Sequence, residues 1–209
     1  MKTLEIIARV ATKMAPGRLP SFAEAHVVMA LEDIGNVRTV GRLKLSKDLQ
    51  LGEGEARTLI KHLKKEGLVE ISRSGISLSA AGRKLLSSMR AIMSEQLEIP
   101  SSPLTVGRFN VAVQVKGMKS SLRYGLEQRD AAITAGAKGA TTLVFSDNKI
   151  AMPGTGEVLS EKGSSIVSAL SKLNLKEGDA IIIGSADERF KAELGARTAA
   201  LELLKTKKA

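Results

Sequence analysis

The chain has 209 residues, enough for one large or two modest domains that each bury a core. With 43% hydrophobic and 26% charged residues, and no apolar run near the ~18 needed to span a bilayer, the composition argues against disordered, fibrous and membrane-spanning classes. Zero Cys removes disulfides, thiolate metal sites and cysteine nucleophiles, two histidines are too few for a His-built zinc centre, and the net charge of +10 favours a polyanionic partner.

MKTLEIIARV at the amino terminus carries Glu5 in its first apolar turn and leads to no small-residue cleavage site, so a cytoplasmic protein is expected. The segment TLEIIARVATKM has helical period and ends at Pro16 and Gly17. SFAEAHVVMALEDIG predicts a second helix, with Ser21 as cap and Glu24 completing a capping box. TVGRLKLSKDLQ, a turn at LGEGE and EARTLIKHLKKEGL then read as helix, turn, helix, the last stopped by Gly67. LVEIS and GISLS alternate apolar and polar residues around Arg73-Ser74-Gly75, which predicts a two-stranded hairpin. A final helix is expected from about Ala80 to Leu97.

This order is that of a winged helix-turn-helix, and GEARTLIKHLKKEGLVEISRSGISLSAAGRKLL resembles archaeal and bacterial transcription regulators of that type. On a helical wheel Ala56, Leu59, Ile60 and Leu63 form a buried stripe, leaving Thr58, Lys61 and Lys65 opposite and Arg57 and Lys64 beside them. In the winged-helix resemblance this helix enters the major groove of double-stranded DNA, which gives Arg57 and Thr58 base-edge contact and Lys61, Lys64 and Lys65 phosphate contact. Arg73 at the hairpin tip is expected to reach an adjacent minor groove or phosphate, and Arg42, Lys44 and Lys47 to support from the preceding helix. Residues 38 to 73 hold nine basic against five acidic side chains, a density above the chain average. The bland alternative is a solvated face paired along its own helix. His62 lies between the two faces and His26 among apolar residues, and neither is a catalytic candidate. Leu85, Leu86, Met89, Ile92, Met93 and Leu97 form a seam that suggests a homodimer through the helices at 1–14 and 80–97.

EIPSSPLTVG, with two prolines and no helical period, reads as a linker over 98–107 between a DNA-binding domain at 1–97 and a sensor or assembly domain at 108–209. From 108 onward the order strand, helix, strand, strand, helix, strand, helix predicts a two-layer α+β sandwich. Laying Val111–Ile133 over Asp179–Leu201 without a gap gives five identities in 23 positions, among them Arg129 with Arg197, which suggests internal pseudo-symmetry. That pair is a candidate anion pocket for a small-molecule effector, with surface ion pairs beside Asp130 and Glu193 as the alternative.

GLEQRDAAITAGAKGATTLVFSDNKIAMPG resembles the C-terminal domain of an archaeal family of uncharacterised two-domain winged-helix proteins. The resemblance implies a fold similar to the GAD module of bacterial aspartyl-tRNA synthetases and transfers no activity. GTGEVL at 154–159 lacks the third glycine of a dinucleotide loop, no Gly-Lys-Ser/Thr loop occurs, and GSADE at 184–188 reads as a helix cap. The expectation is therefore a non-enzymatic DNA-binding regulator with no cofactor or metal, a protein- or RNA-interaction module being the alternative. The five aromatic residues argue against a base-stacking RNA platform.

Overall fold

Leu4, Ile7 and Val10 recur three residues apart and are buried along one stripe of α1 (Lys2–Ala11), which packs on α2 (Glu24–Gly35) and α4 (Glu53–Lys65). The structure is a computed structural model that describes residues 2–12, 21–159 and 165–206, so the expected stop at Pro16 and Gly17 lies outside the described residues. The chain divides into two compact units, Met1–Arg90 and Ala91–Ala209.

In the first unit α3 (Arg42–Asp48), α4, the hairpin β1 (Val69–Ser72) and β2 (Gly75–Leu78), and α5 (Ala80–Ile92) complete a winged helix-turn-helix. Val40 bridges Ile76 through two backbone hydrogen bonds of 2.9 Å, which adds a short third rung to the wing. The second helix starts later than the Ser21 cap predicts: Ala23 is its N-cap, and the Ala23 amide donates to His26 Nδ1 at 3.1 Å. An imidazole three residues on thus does the work expected of Glu24. Gly35 is needed where α2 meets α5, because a Cβ there would lie 2.4 Å from Leu86 Cδ2.

Burial holds the His26 imidazole below its ordinary pKa of 6.5, with Glu55 opposing in part. A lowered folded pKa means that the unfolded chain takes up the proton first. The first unit is therefore expected to hold its full stability above about pH 6.5 and to lose part of it as the pH falls below that value. Urea midpoints measured down this range should decline less steeply in His26→Gln. An equal decline would remove His26 as the cause.

In the second unit, five antiparallel strands lie in the order β3 (Leu97–Glu98), β4 (Phe109–Val115), β7 (Ala180–Ala186), β5 (Gly139–Ser146) and β6 (Lys149–Ala151). From β4 onward the element order is the one the sequence predicts, with α6 (Leu126–Thr134), α7 (Ser165–Leu170) and α8 (Arg189–Thr206) as its helices. One sheet face carries α6 and α8. Gly184 of β7 touches α8 so closely that a Cβ would meet the Ala192 carbonyl oxygen at 2.5 Å. The other face carries Ala112, Leu143, Ile181 and Ile183, closed over by Ile99 and by Ile166 and Leu170 of α7. Each fully buried isoleucine contributes roughly 1.5–3 kcal/mol.

Three expectations change here. The helix expected to reach Leu97 stops at Ile92, and Leu97 and Glu98 instead pair with Ala112 and Val111. Segment 98–107 is accordingly no linker: Ile99 is 4% exposed, and Leu104 accepts the Thr141 hydroxyl on its carbonyl at 2.6 Å. Prolines that bar helix here are compatible with a sheet edge and its flanking turn. Most of the expected dimer seam is also buried inside one chain, since Leu85, Leu86, Met89 and Met93 are all at most 5% exposed, while Ile92 and Leu97 are half-buried. A side chain already buried offers no surface to a second copy.

The internal repeat survives as topology, not as a gapless register. β4 and β7 are adjacent antiparallel strands, each followed by a helix, and those helices pack on one another. The connection from β4 to α6 is far longer than that from β7 to α8, however, and holds a 3-10 turn at Lys119–Ser121 and a left-handed Gly125 at φ 78°. The helix that follows β4 is accordingly short, Leu126–Thr134.

Candidate nucleic-acid interface

Gly52 caps helix α4, and its amide donates to Glu55 Oε2 at 3.0 Å. With Ala56, Leu59, Ile60 and Leu63 buried, 3.6-residue periodicity forces Arg57, Lys61, Lys64 and Lys65 outward, and all four are exposed. Thr58 is half-buried and its hydroxyl donates to the Gly54 carbonyl at 2.9 Å. That hydroxyl has spent its one hydrogen and keeps only acceptor capacity for a further bond.

Beside this helix lies a cleft of about 370 Å³ bounded by α3, α4 and the wing. Its cationic lining is Arg42 from α3 with Arg57, Lys61 and Lys64 from α4. Its apolar lining is Ile60, Ile71 and Ile76, joined by Ser72 and Gly75 of the hairpin. The structure thus brings together four of the residues that the sequence singles out. Lys44, Lys65 and Arg73 are exposed nearby but do not line the cleft.

Charge placement distinguishes this face. Among the described residues, Arg42, Arg57, Lys61 and Lys64 have no acidic partner, while three nearby acids, Glu66, Asp48 and Glu55, are engaged elsewhere. Glu66 takes Arg9 at 2.7 Å, Asp48 takes Lys44 at 2.8 Å, and Glu55 caps its own helix. Lys44 pairs with Asp48 along α3 in an exposed contact that holds its pKa above the ordinary lysine value. In the second unit, Lys138 pairs with Asp187, Lys191 with Glu188 and Arg189 with Glu98 and Glu193. Cations left uncompensated in one cleft set up a positive potential there at the cost of some self-repulsion.

The wing turn consists of Arg73 and Ser74 between the paired Ser72 and Gly75, so Gly75 of the expected turn belongs to β2. Ser72 Oγ lies 2.8 Å from Ser74 Oγ and donates to the Gly75 carbonyl at 3.2 Å, which stiffens the tip that carries Arg73. His62 is not at the surface. It is 6% exposed, with Nδ1 2.8 Å from the Val10 carbonyl and its ring edge-on to Phe22, so it pins α1 to α4.

Sequence reasoning missed Ile71, which alternation places inward with Val69 yet which is 50% exposed in the cleft wall. An apolar residue two positions before a hairpin turn, beyond the reach of the core, is the signal that was there to read. The expected effector pair does not assemble as one pocket. Arg129 is exposed beside Asp130 at 3.1 Å, whereas Arg197 is 1% exposed in α8 and donates to the Ser94 carbonyl at 3.3 Å. Arg197 instead joins Gln96, which donates to the Glu193 carbonyl, in fastening residues 94–98 to α8. Among the described residues there is no group of three or more His, Asp or Glu placed to hold one metal ion, and no helix long and apolar enough to cross a membrane.

Residues 28–93 match a family model described as the CggR N-terminal DNA binding domain. That match contains α3, α4, the wing and the whole cationic cleft. Residues 106–203 match a second model, described as a domain of unknown function, DUF4443. Among solved structures, a hypothetical protein from Pyrococcus horikoshii OT3 is similar at 26% identity and a TM-score of 0.71, over 89% of this chain and 100% of that one. A comparison with curated proteins gives no match.

Proposed function

We propose that this chain is a cytoplasmic, non-enzymatic transcription regulator that binds double-stranded DNA through the cleft between α3, α4 and the wing. The observation that carries this reading is the set of four cations in that cleft with no acidic partner among the described residues. The match to a DNA-binding family model over the same residues supports it. An α-helix fits a major groove of about 12 Å, so α4 is the element that enters, with Arg57 at its amino-terminal end reaching base edges and Lys61 and Lys64 meeting phosphates. Arg73 on the stiffened wing tip reaches the neighbouring backbone or minor groove. The second unit senses a ligand or mediates assembly.

Selection from random duplexes with the full chain tests this directly. The expected outcome is a recurrent site, with specific binding at least about 1,000-fold tighter than to unrelated duplex. Binding to single-stranded RNA alone, or no enrichment of any duplex, would replace this reading with that of an interaction module for RNA or protein.

A further inference from the structure

The second unit contains a cleft of about 510 Å³ that neither family match nor any sequence motif assigns. This volume lies in the range of sites that enclose a small metabolite, roughly 300–1,000 Å³. One wall is the 3-10 turn with Lys119 and Leu122. The other is the end of the β5–β6 hairpin and the loop after it, with Val144, Lys149, Met152 and Val158.

Both walls are fixed by bonds that do not involve a ligand. The Lys119 amide donates to the Gly178 carbonyl at 2.9 Å, and Lys119 Nζ donates to Ser146 Oγ. Asp147 and Asn148, at φ 52° and 58°, form the tight turn that joins β5 to β6. Beyond β6 the chain folds back through the Ala151–Val158 bridge and a 2.8 Å bond from the Met152 amide to the Glu157 carbonyl. Gly154, at φ 83°, lies flat against Tyr124, where a Cβ would stand 2.4 Å from the ring. The cleft is therefore preformed, and binding there carries little ordering cost.

Its charges are unequal. Glu177 accepts from Ser146 Oγ and from the Asp147 amide, both at 2.8 Å, and lies 3.7 Å from Lys119 Nζ, so this acid is committed to one wall. Asp147 Oδ2 lies 3.1 Å from the same oxygen, whose single hydrogen goes to Glu177 at the shorter distance, so Asp147 is an acid at the rim of the cleft across the turn from Lys149. Lys149 is exposed and, among the described residues, has no acidic partner. A free ammonium beside an aliphatic surface of Leu122, Val144, Met152 and Val158 complements a molecule with one anionic head and an apolar body.

We propose that this cleft is a binding site for a small organic anion, its carboxylate or phosphate held by Lys149 and its apolar body laid on the aliphatic wall. The site stands on the second unit alone and is independent of DNA binding.

The test is a screen of the full chain by amide chemical-shift mapping. The fragment set holds equal numbers of carboxylates, phosphate monoesters, amines and neutral molecules on matched apolar bodies. Anionic fragments should dominate the hits and shift residues 119–122 and 144–158, and which anion class dominates identifies the head group. Lys149→Met should weaken the best anionic fragment at least tenfold, and Lys149→Arg should restore most of that loss. Hits that are mainly amines or neutral molecules would overturn the proposal. So would shifts that map elsewhere, no saturable hit, or unchanged affinity in Lys149→Met.

Discussion

Replacing Arg57, Lys61 and Lys64 together by alanine should weaken duplex binding by roughly 100- to 1,000-fold at about 0.1 M salt, and, through the two phosphate-contacting lysines, reduce the slope of log affinity against log salt by about 1.8. Each phosphate contact releases close to one counterion, which makes it worth nearly tenfold per decade of salt. The three side chains are exposed and have no acidic partner among the described residues, so their removal breaks no ion pair that holds the fold. Fluorescence anisotropy at several salt concentrations measures both quantities. The control is Lys138→Ala/Lys172→Ala/Lys191→Ala, which lowers the net charge by the same amount but acts in the second unit, where Lys138 and Lys191 already pair with Asp187 and Glu188. It should change the slope by less than one. Equal losses in both variants would mean that overall charge, not the cleft, attracts DNA.

Asp179→Ala should destabilise the second unit by roughly 3–6 kcal/mol. Asp179 is 3% exposed at the entrance to β7, and its carboxylate gathers three donors. Oδ2 accepts from Gln114 Nε2 at 2.5 Å and from the Lys176 amide at 2.8 Å, and Oδ1 accepts from the Gly117 amide at 2.9 Å. It thereby ties the chain leaving β4 to the turn that enters β7, two adjacent interior strands of the sheet. Alanine leaves all three donors without that acceptor in a site with little access to water, where each orphaned group costs about 1–3 kcal/mol. Asparagine keeps one acceptor oxygen and should lose about half as much. Urea unfolding followed by circular dichroism would register the shift. An unchanged midpoint in Asp179→Ala would show that water replaces the carboxylate.

Much of this architecture was legible because period and punctuation agree. The α4 stripe of Ala56, Leu59, Ile60 and Leu63 and the stop at Gly67 define one helix and its outward face, and the β-rich run AIII in β7 sits at the centre of a sheet. What escaped depended on tertiary partners. Leu97 and Glu98 continue an apolar helical pattern but pair with β4, because sheet hydrogen bonds to Ala112 and Val111 outweigh a weak local preference. Arg197 looks like a surface cation in one dimension. Its burial follows from the small residues Gly195, Ala196, Ala199 and Ala200, which bring α8 close against its neighbours. The candidate cleft was half visible: wheel geometry gives its cations, whereas Ile71, and the diversion of Glu55, Glu66 and Asp48 to other partners, appear only once the chain is folded.

Amide hydrogen exchange of the full chain, with and without a saturating selected duplex, tests the central claim most directly. DNA should slow exchange in α3, α4 and the hairpin residues 71–76, and leave α6 and α8 unchanged. Protection confined to the second unit, with the duplex demonstrably bound, would contradict the account.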